Sequence, residues 1–174
     1  MRFKHNQKLS TSNLCHLKKQ HEPPSIERKM YSLNNHTLLY FKTAESLTYA
    51  LKVQYTTFSI YPTLSLQRFI QVLLKEHHKH LSTQIARSSE LLHIGQYIPI
   101  FVSPQLIICP LYAKRSTEQI YINMVQVIGM HSFRGQTHII FSNYHQITVN
   151  APITFCAKKW KECMLLSQLL MRSI

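Results

Sequence analysis

From Ile98 onward the chain is cut by prolines and turn residues into apolar runs too short to make helices. They read Ile98-Pro-Ile-Phe-Val-Ser-Pro104, then Pro110 and a basic turn Lys114-Arg115-Ser116-Thr117, then Tyr121-Ile-Asn-Met-Val-Gln-Val127, then Ile139-Ile-Phe-Ser-Asn143. Runs of this length, rich in Ile, Val and aromatic residues and bounded by turn formers, predict strands. The expected set is 98–102, 105–111, one long strand from Gln119 to Met130, and a hairpin of 137–142 with 146–150 across Asn143-Tyr144. Upstream, after Met30, similar runs predict strands over Tyr31–Leu33, 37–41 and Val53–Ile60, the last closed by Pro62.

Two segments carry the helical period instead. Ser65 can cap a helix whose Leu66, Phe69, Ile70, Leu73, Leu74, Leu81 and Ile85 recur at i, i+3, i+4 spacing. Arg68, Lys75, His78 and Lys79 then fall on its opposite face. A second helix is expected from Thr154 to Met171, with Lys158, Lys159 and Lys161 in its first turns and apolar residues nearly all round. Such a helix needs cover on more than one side, from a second copy of the chain or from the sheet of its own subunit. The elements together predict an α+β fold: an antiparallel sheet with an amphipathic central helix and a C-terminal helix.

The chain has 174 residues, enough for one well-buried core. Residues 1–29, polar and basic, read as a disordered arm, either a solvated tail or a phosphate-tracking extension, ahead of a domain over 30–174. Twenty Lys and Arg stand against seven acids, a formal charge of +13. Self-repulsion on that scale calls for a polyanion, with nucleic acid first among them. All the acids are Glu, scattered without a paired motif, which argues against acid–base catalysis and against a carboxylate-held Mg²⁺. With three glycines the chain builds no phosphate-cradling loop. His77 and His80 lie three apart with no third ligand placed to join them, so neither metal nor cofactor is expected. Cys156 and Cys163 would sit about 10 Å apart along a helix, too far to bridge, and the cysteines read as reduced thiols of a cytoplasmic protein. No apolar segment suggests export or a membrane span.

The order of the motifs from Ile98 to Phe155 resembles the ComK family, competence transcription factors of low-GC Gram-positive bacteria. That family carries a Pro-Ile-x-Val-x-Pro strand, a Pro-Thr-x-Ser-Ser turn, a Trp-Ile-x-x-x-x-Val strand and a Phe-Ser-Asn turn before a closing helix. Here Tyr121 stands at the Trp position, Gln119 at a Cys, and Asn143-Tyr144 at an Asn-Gly turn; Leu81-Ser-Thr-Gln-Ile-Ala-Arg87 occupies the place of a Gly-Arg-Lys element. The family's Phe-Met-Leu-Tyr-Pro tail, its handle for adaptor-driven proteolysis, does not follow the last helix. This resembles a short, divergent paralogue of the staphylococcal type.

The resemblance implies a non-enzymatic activator that binds A·T-rich promoter DNA, largely from the minor groove, as an oligomer. It directs attention to Lys114 and Arg115, since an Arg at the tip of a protruding turn suits a narrow minor groove. Arg87 and Arg134 come next. Arg68, Lys75, Lys79, Lys158, Lys159 and Lys161 complete the expected DNA-binding set, each also readable as an ordinary solvated charge. A rival expectation is a paralogue that acts by pairing with a full-length ComK rather than by touching DNA.

Overall fold

The computed structural model describes residues 35–44, 46 and 48–172. The arm expected over 1–29 and the strand expected at Tyr31–Leu33 lie outside the described residues. After a short 3-10 turn come β1 (Leu38–Thr43), β2 (Leu51–Tyr55), β3 (Ser59–Ile60), helices α1 (Leu66–Glu76) and α2 (Leu81–Leu92), and then β4 (Ile100–Ser103), β5 (Leu106–Pro110) and β6 (Ile120–Asn123). A second 3-10 turn leads to β7 (Val127–Phe133), β8 (Gln136–Phe141), β9 (Gln146–Val149) and α3 (Ile153–Met171). The class is α+β, and every strand pair is antiparallel.

The described residues form two sheets where one was expected: six strands in the order β3-β2-β1-β6-β5-β4, and three in the order β7-β8-β9. The larger sheet is covered on both faces. Leu38, Phe41, Val53, Ile100, Val102 and Ile108 meet Phe69, Ile70, Leu73 and Leu74 of α1 in one core. Leu39, Ile107, Cys109 and Ile122 meet Ile139 and Phe141 of β8 and Cys156, Cys163 and Leu166 of α3 in the other. Double cover explains why β5 reads as an unbroken apolar run rather than an alternating one. The register shift between Leu38 and Tyr40 lets Leu38 and Phe41, three apart, face the same core.

Three expected elements divide. The 53–60 strand folds back after Tyr55, whose N–H donates to Phe58 O at 2.9 Å, so that Val53 pairs with Ile60. The central helix breaks at His77–His80, with His78 at φ 52°. Unbroken from Leu66 to Leu92 it would run about 40 Å, well past a sheet about 24 Å across its strands, so the break keeps both halves near the core. Its N-cap is as expected, Ser65 Oγ accepting from Arg68 N–H at 3.3 Å. The 119–130 strand is interrupted after Asn123 and its two halves join different sheets.

Asn123 sits at that fork, fully buried. Its Nδ2 donates to Leu38 O at 2.9 Å and Gln105 O at 3.0 Å, and its Oδ1 accepts from Ile107 N–H at 3.2 Å and Val125 N–H at 3.3 Å. The amide is thus fully satisfied and fixes where the chain leaves the first sheet. A second tie comes from Ser142-Asn143: Ser142 Oγ donates to Gln126 Oε1, and Asn143 Nδ2 donates to Thr56 O at 2.6 Å. The 143–144 turn forms where expected, but its positive φ falls on Tyr144 (64°) and not on Asn143, the residue that tolerates it better.

Candidate nucleic-acid interface

Lys114 and Arg115 occupy the two central positions of a β-turn closed by Ser116 N–H donating to Ala113 O at 2.8 Å. Residues 113–118 are all exposed. Gln119 braces the turn from inside: its Nε2 donates to Ala113 O at 2.6 Å and Ser116 O at 2.9 Å. Glu118, the carboxylate beside these cations, is drawn to Lys42, 3.6 Å away. Among the described residues neither Lys114 nor Arg115 has an ion-pair partner.

Several elements meet at this end of the molecule. Ser65 and Gln67 of α1 line the same cleft of about 860 Å³ as Lys114 and Arg115, which puts exposed Arg68 on the helix turn beside it. On the other side, Tyr112 Oη accepts from Asn150 N–H at 2.9 Å, and Thr137 Oγ1 donates to Ala151 O at 2.6 Å. These bonds place the start of α3, with Lys158 exposed on its second turn, next to the basic turn. The β7–β8 hairpin continues past Thr137 to a two-residue turn, Arg134 (φ 51°) and Gly135 (φ 80°), the positive pair a tight hairpin requires. Arg134 lies with its guanidinium 5.1 Å from the Phe133 ring.

The remaining cations separate into two groups. Lys75, Arg87 and Lys161 are exposed on their helices, away from the turn in sequence and free to face solvent. Lys79 and Lys159 are not. Lys79, placed by the broken helix in the α1–α2 link rather than on a helical face, donates to Val102 O at 2.8 Å and lies 4.3 Å from the Phe101 ring centre. Burial, then Arg87, lowers its pKa. Lys159, 4% exposed, donates to Glu162 Oε2 at 2.7 Å and Gln96 O at 3.2 Å. Both ammonium groups are spent on internal bonds. The Lys159–Glu162 pair is local, three apart on one helix, but the carbonyls of Val102 and Gln96 come from β4 and the loop before it, and helix periodicity could not reveal those.

Two residues escaped the sequence reading. Gln119 reads in sequence as a strand start at a family Cys position, although an amide beside a turn can satisfy its carbonyls. Phe133 is 56% exposed at the hairpin tip. The signal for it was the alternation of His131 and Phe133 running into Arg134-Gly135, a hairpin that the expected 119–130 strand obscured.

The ComK protein family model matches residues 28–172. The chain belongs to the ComK family. No curated protein and no solved structure matches it. The match spans both sheets and all three helices, so the ComK motifs acquire structural meaning here: the Pro-Ile-x-Val-x-Pro segment is β4, and the Phe-Ser-Asn segment is the strap from β8 to the β2–β3 turn. At the ComK Trp position, Tyr121 stacks on Phe41 with ring centres 5.3 Å apart, and burial raises its phenol pKa. Among the described residues, no three His, Cys, Asp or Glu gather as a metal would need, and no helix is long and apolar enough to cross a membrane.

Proposed function

We propose that this ComK-family protein is a DNA-binding regulator of competence genes, an activator that reads A·T-rich promoter boxes in the cytoplasm and has no enzymatic role. The observation that carries this reading is the braced turn: two adjacent exposed cations, without an ion-pair partner among the described residues, at the mouth of a cleft, with Arg68, Lys158 and Arg134 at the same end. Arg115, with Lys114 beside it, enters the minor groove, where a narrow A·T tract concentrates negative potential. The exposed Lys75, Arg87 and Lys161 are assigned to phosphates, and residues 1–29 to a loose electrostatic arm.

Titration of A·T and G·C duplexes tests it. Lys114→Ala with Arg115→Ala should cut the preference for A·T by roughly tenfold, and a minor-groove ligand should displace the wild type. Lys75→Ala should weaken all duplexes alike and flatten the salt slope by about 0.9. A turn variant that keeps full A·T preference removes the assignment.

A second reading, pairing with another copy or with a full-length ComK, is favoured by a separate observation. On α3, Trp160, Leu165 and Met171 are 36%, 48% and 51% exposed, with exposed Lys161 and Gln168 between them round the helix, and large apolar side chains left on a helix surface can serve a protein contact.

A further inference from the structure

The β7–β8 hairpin carries more than a cation. Residues 131–136 are exposed in an unbroken row, so the tip stands clear of the core that holds Thr137 and Ile139. On its outer face the paired residues His131 and His138 stack with ring centres 4.8 Å apart and planes 5° from parallel. Phe133 meets His138 edge-on at 6.1 Å. The imidazole pair therefore fills the sheet surface on which the phenyl ring could otherwise lie down, and Arg134 flanks it next to the turn. The result is an apolar ring, buttressed from behind, beside a guanidinium at the tip of a two-residue hairpin.

We infer that Phe133 is a wedge: the ring enters a base step of duplex DNA from the minor groove while Arg134 follows the groove, kinking the helix toward its major groove. An exposed aromatic ring beside a phosphate-seeking cation is chemically suited to this, because it recovers apolar contact from the unstacked step while the widened minor groove takes in more of the basic end. A·T-rich sites containing a TA step unstack most readily, so the wedge adds sequence preference where no base edge is read. The distance supports one continuous footprint. Thr137 is tied to Ala151 and Asn150 to Tyr112, beside the Lys114–Arg115 turn, and the tip lies about 7 Å beyond Thr137, two rungs at strand spacing, within reach along a groove from that turn. The inference rests on the duplex-binding reading above.

The test uses the full chain and A·T-box duplexes with 2-aminopurine at successive steps, together with circular-permutation mobility shifts. Wild type should brighten the probe at one step and bend the fragment. Phe133→Ala, at an exposed position, should keep its circular dichroism and bind within about tenfold of wild type while losing both signals. Phe133→Leu should retain much of the bend, because a branched apolar side chain still separates the bases. A duplex complex in which Phe133→Ala brightens and bends as wild type does overturns the wedge and leaves the regulator reading intact. Absence of any duplex complex removes that reading and the wedge with it. Tighter binding to single strands, lost in Phe133→Ala and His138→Ala, would make the same ring row a stacking platform and also overturn the wedge.

Discussion

Asn123 carries more of the fold than any other polar side chain described, since one buried amide holds β1, the β4–β5 turn, β5 and the second 3-10 turn together. Replacing it by Ala takes these bonds from two carbonyls and two N–H groups; those of Leu38 and Ile107 are buried, while those of Gln105 and Val125 are only part-buried and can turn to water. Each buried loss costs about 1–2 kcal/mol, so Asn123→Ala should destabilise by about 3 kcal/mol, read as a lower urea midpoint. An unchanged midpoint would mean that the fork is held by something else. Tyr144 makes the opposite case. Its side chain is 80% exposed, and its backbone is held at φ 64°, where a β-carbon is strained by about 1–2 kcal/mol. Part of that relief is offset by the greater unfolded-state freedom of glycine, so Tyr144→Gly should raise stability by roughly 0.5–1 kcal/mol. A fall in thermal midpoint would show that the tyrosyl ring makes contacts that outweigh the strain.

At the scale of elements, α3 divides cleanly between inner and outer sides. Cys156, Cys163, Leu166 and Leu170 are buried, so Leu166→Glu and Leu170→Glu, which all-round apolarity alone would offer as tests of an interface, should unfold the domain. Trp160→Glu with Leu165→Glu changes the two large apolar side chains that the outer surface leaves exposed. This variant should stay folded and, if α3 joins two copies, sediment as a monomer at tens of micromolar, the usual range of weak dimers. A wild type already monomeric there excludes the interface. Lys159 belongs to the inner side despite its charge. Lys159→Ala leaves Glu162, itself largely covered, without its partner, and should cost about 3 kcal/mol without changing the salt dependence of DNA binding.

For the whole molecule, the junction between the sheets is where pH should act. His145 packs in a triangle of rings with Tyr40 of the larger sheet and Phe141 of the smaller, 5.8 Å and 6.2 Å from their centres, with its Nε2 3.4 Å from Tyr40 Oη. Burial, then the charge of Lys52, lowers its pKa below the usual histidine value, as burial and Lys79 do for His77. The unfolded chain therefore takes up these protons first, and stability should fall as pH drops below about 6.5. His145→Gln should show a shallower loss between pH 7 and 5 in urea unfolding; an equal slope would acquit this residue. The short apolar runs, the Ser65 cap, the closing helix and the Lys114–Arg115 turn were legible in the sequence because each depends on neighbours a few residues away. So was ComK membership, which rests on the order of local motifs. Which run joined which sheet was not legible, since Asn123 is committed by carbonyls from β1 and the β4–β5 turn that only the folded chain brings near. Nor could the sequence say which lysines reach solvent. Lys79 and Lys159 look like their neighbours along the chain, and the carbonyls of Val102 and Gln96 that hold them inward are placed beside them only by long-range packing.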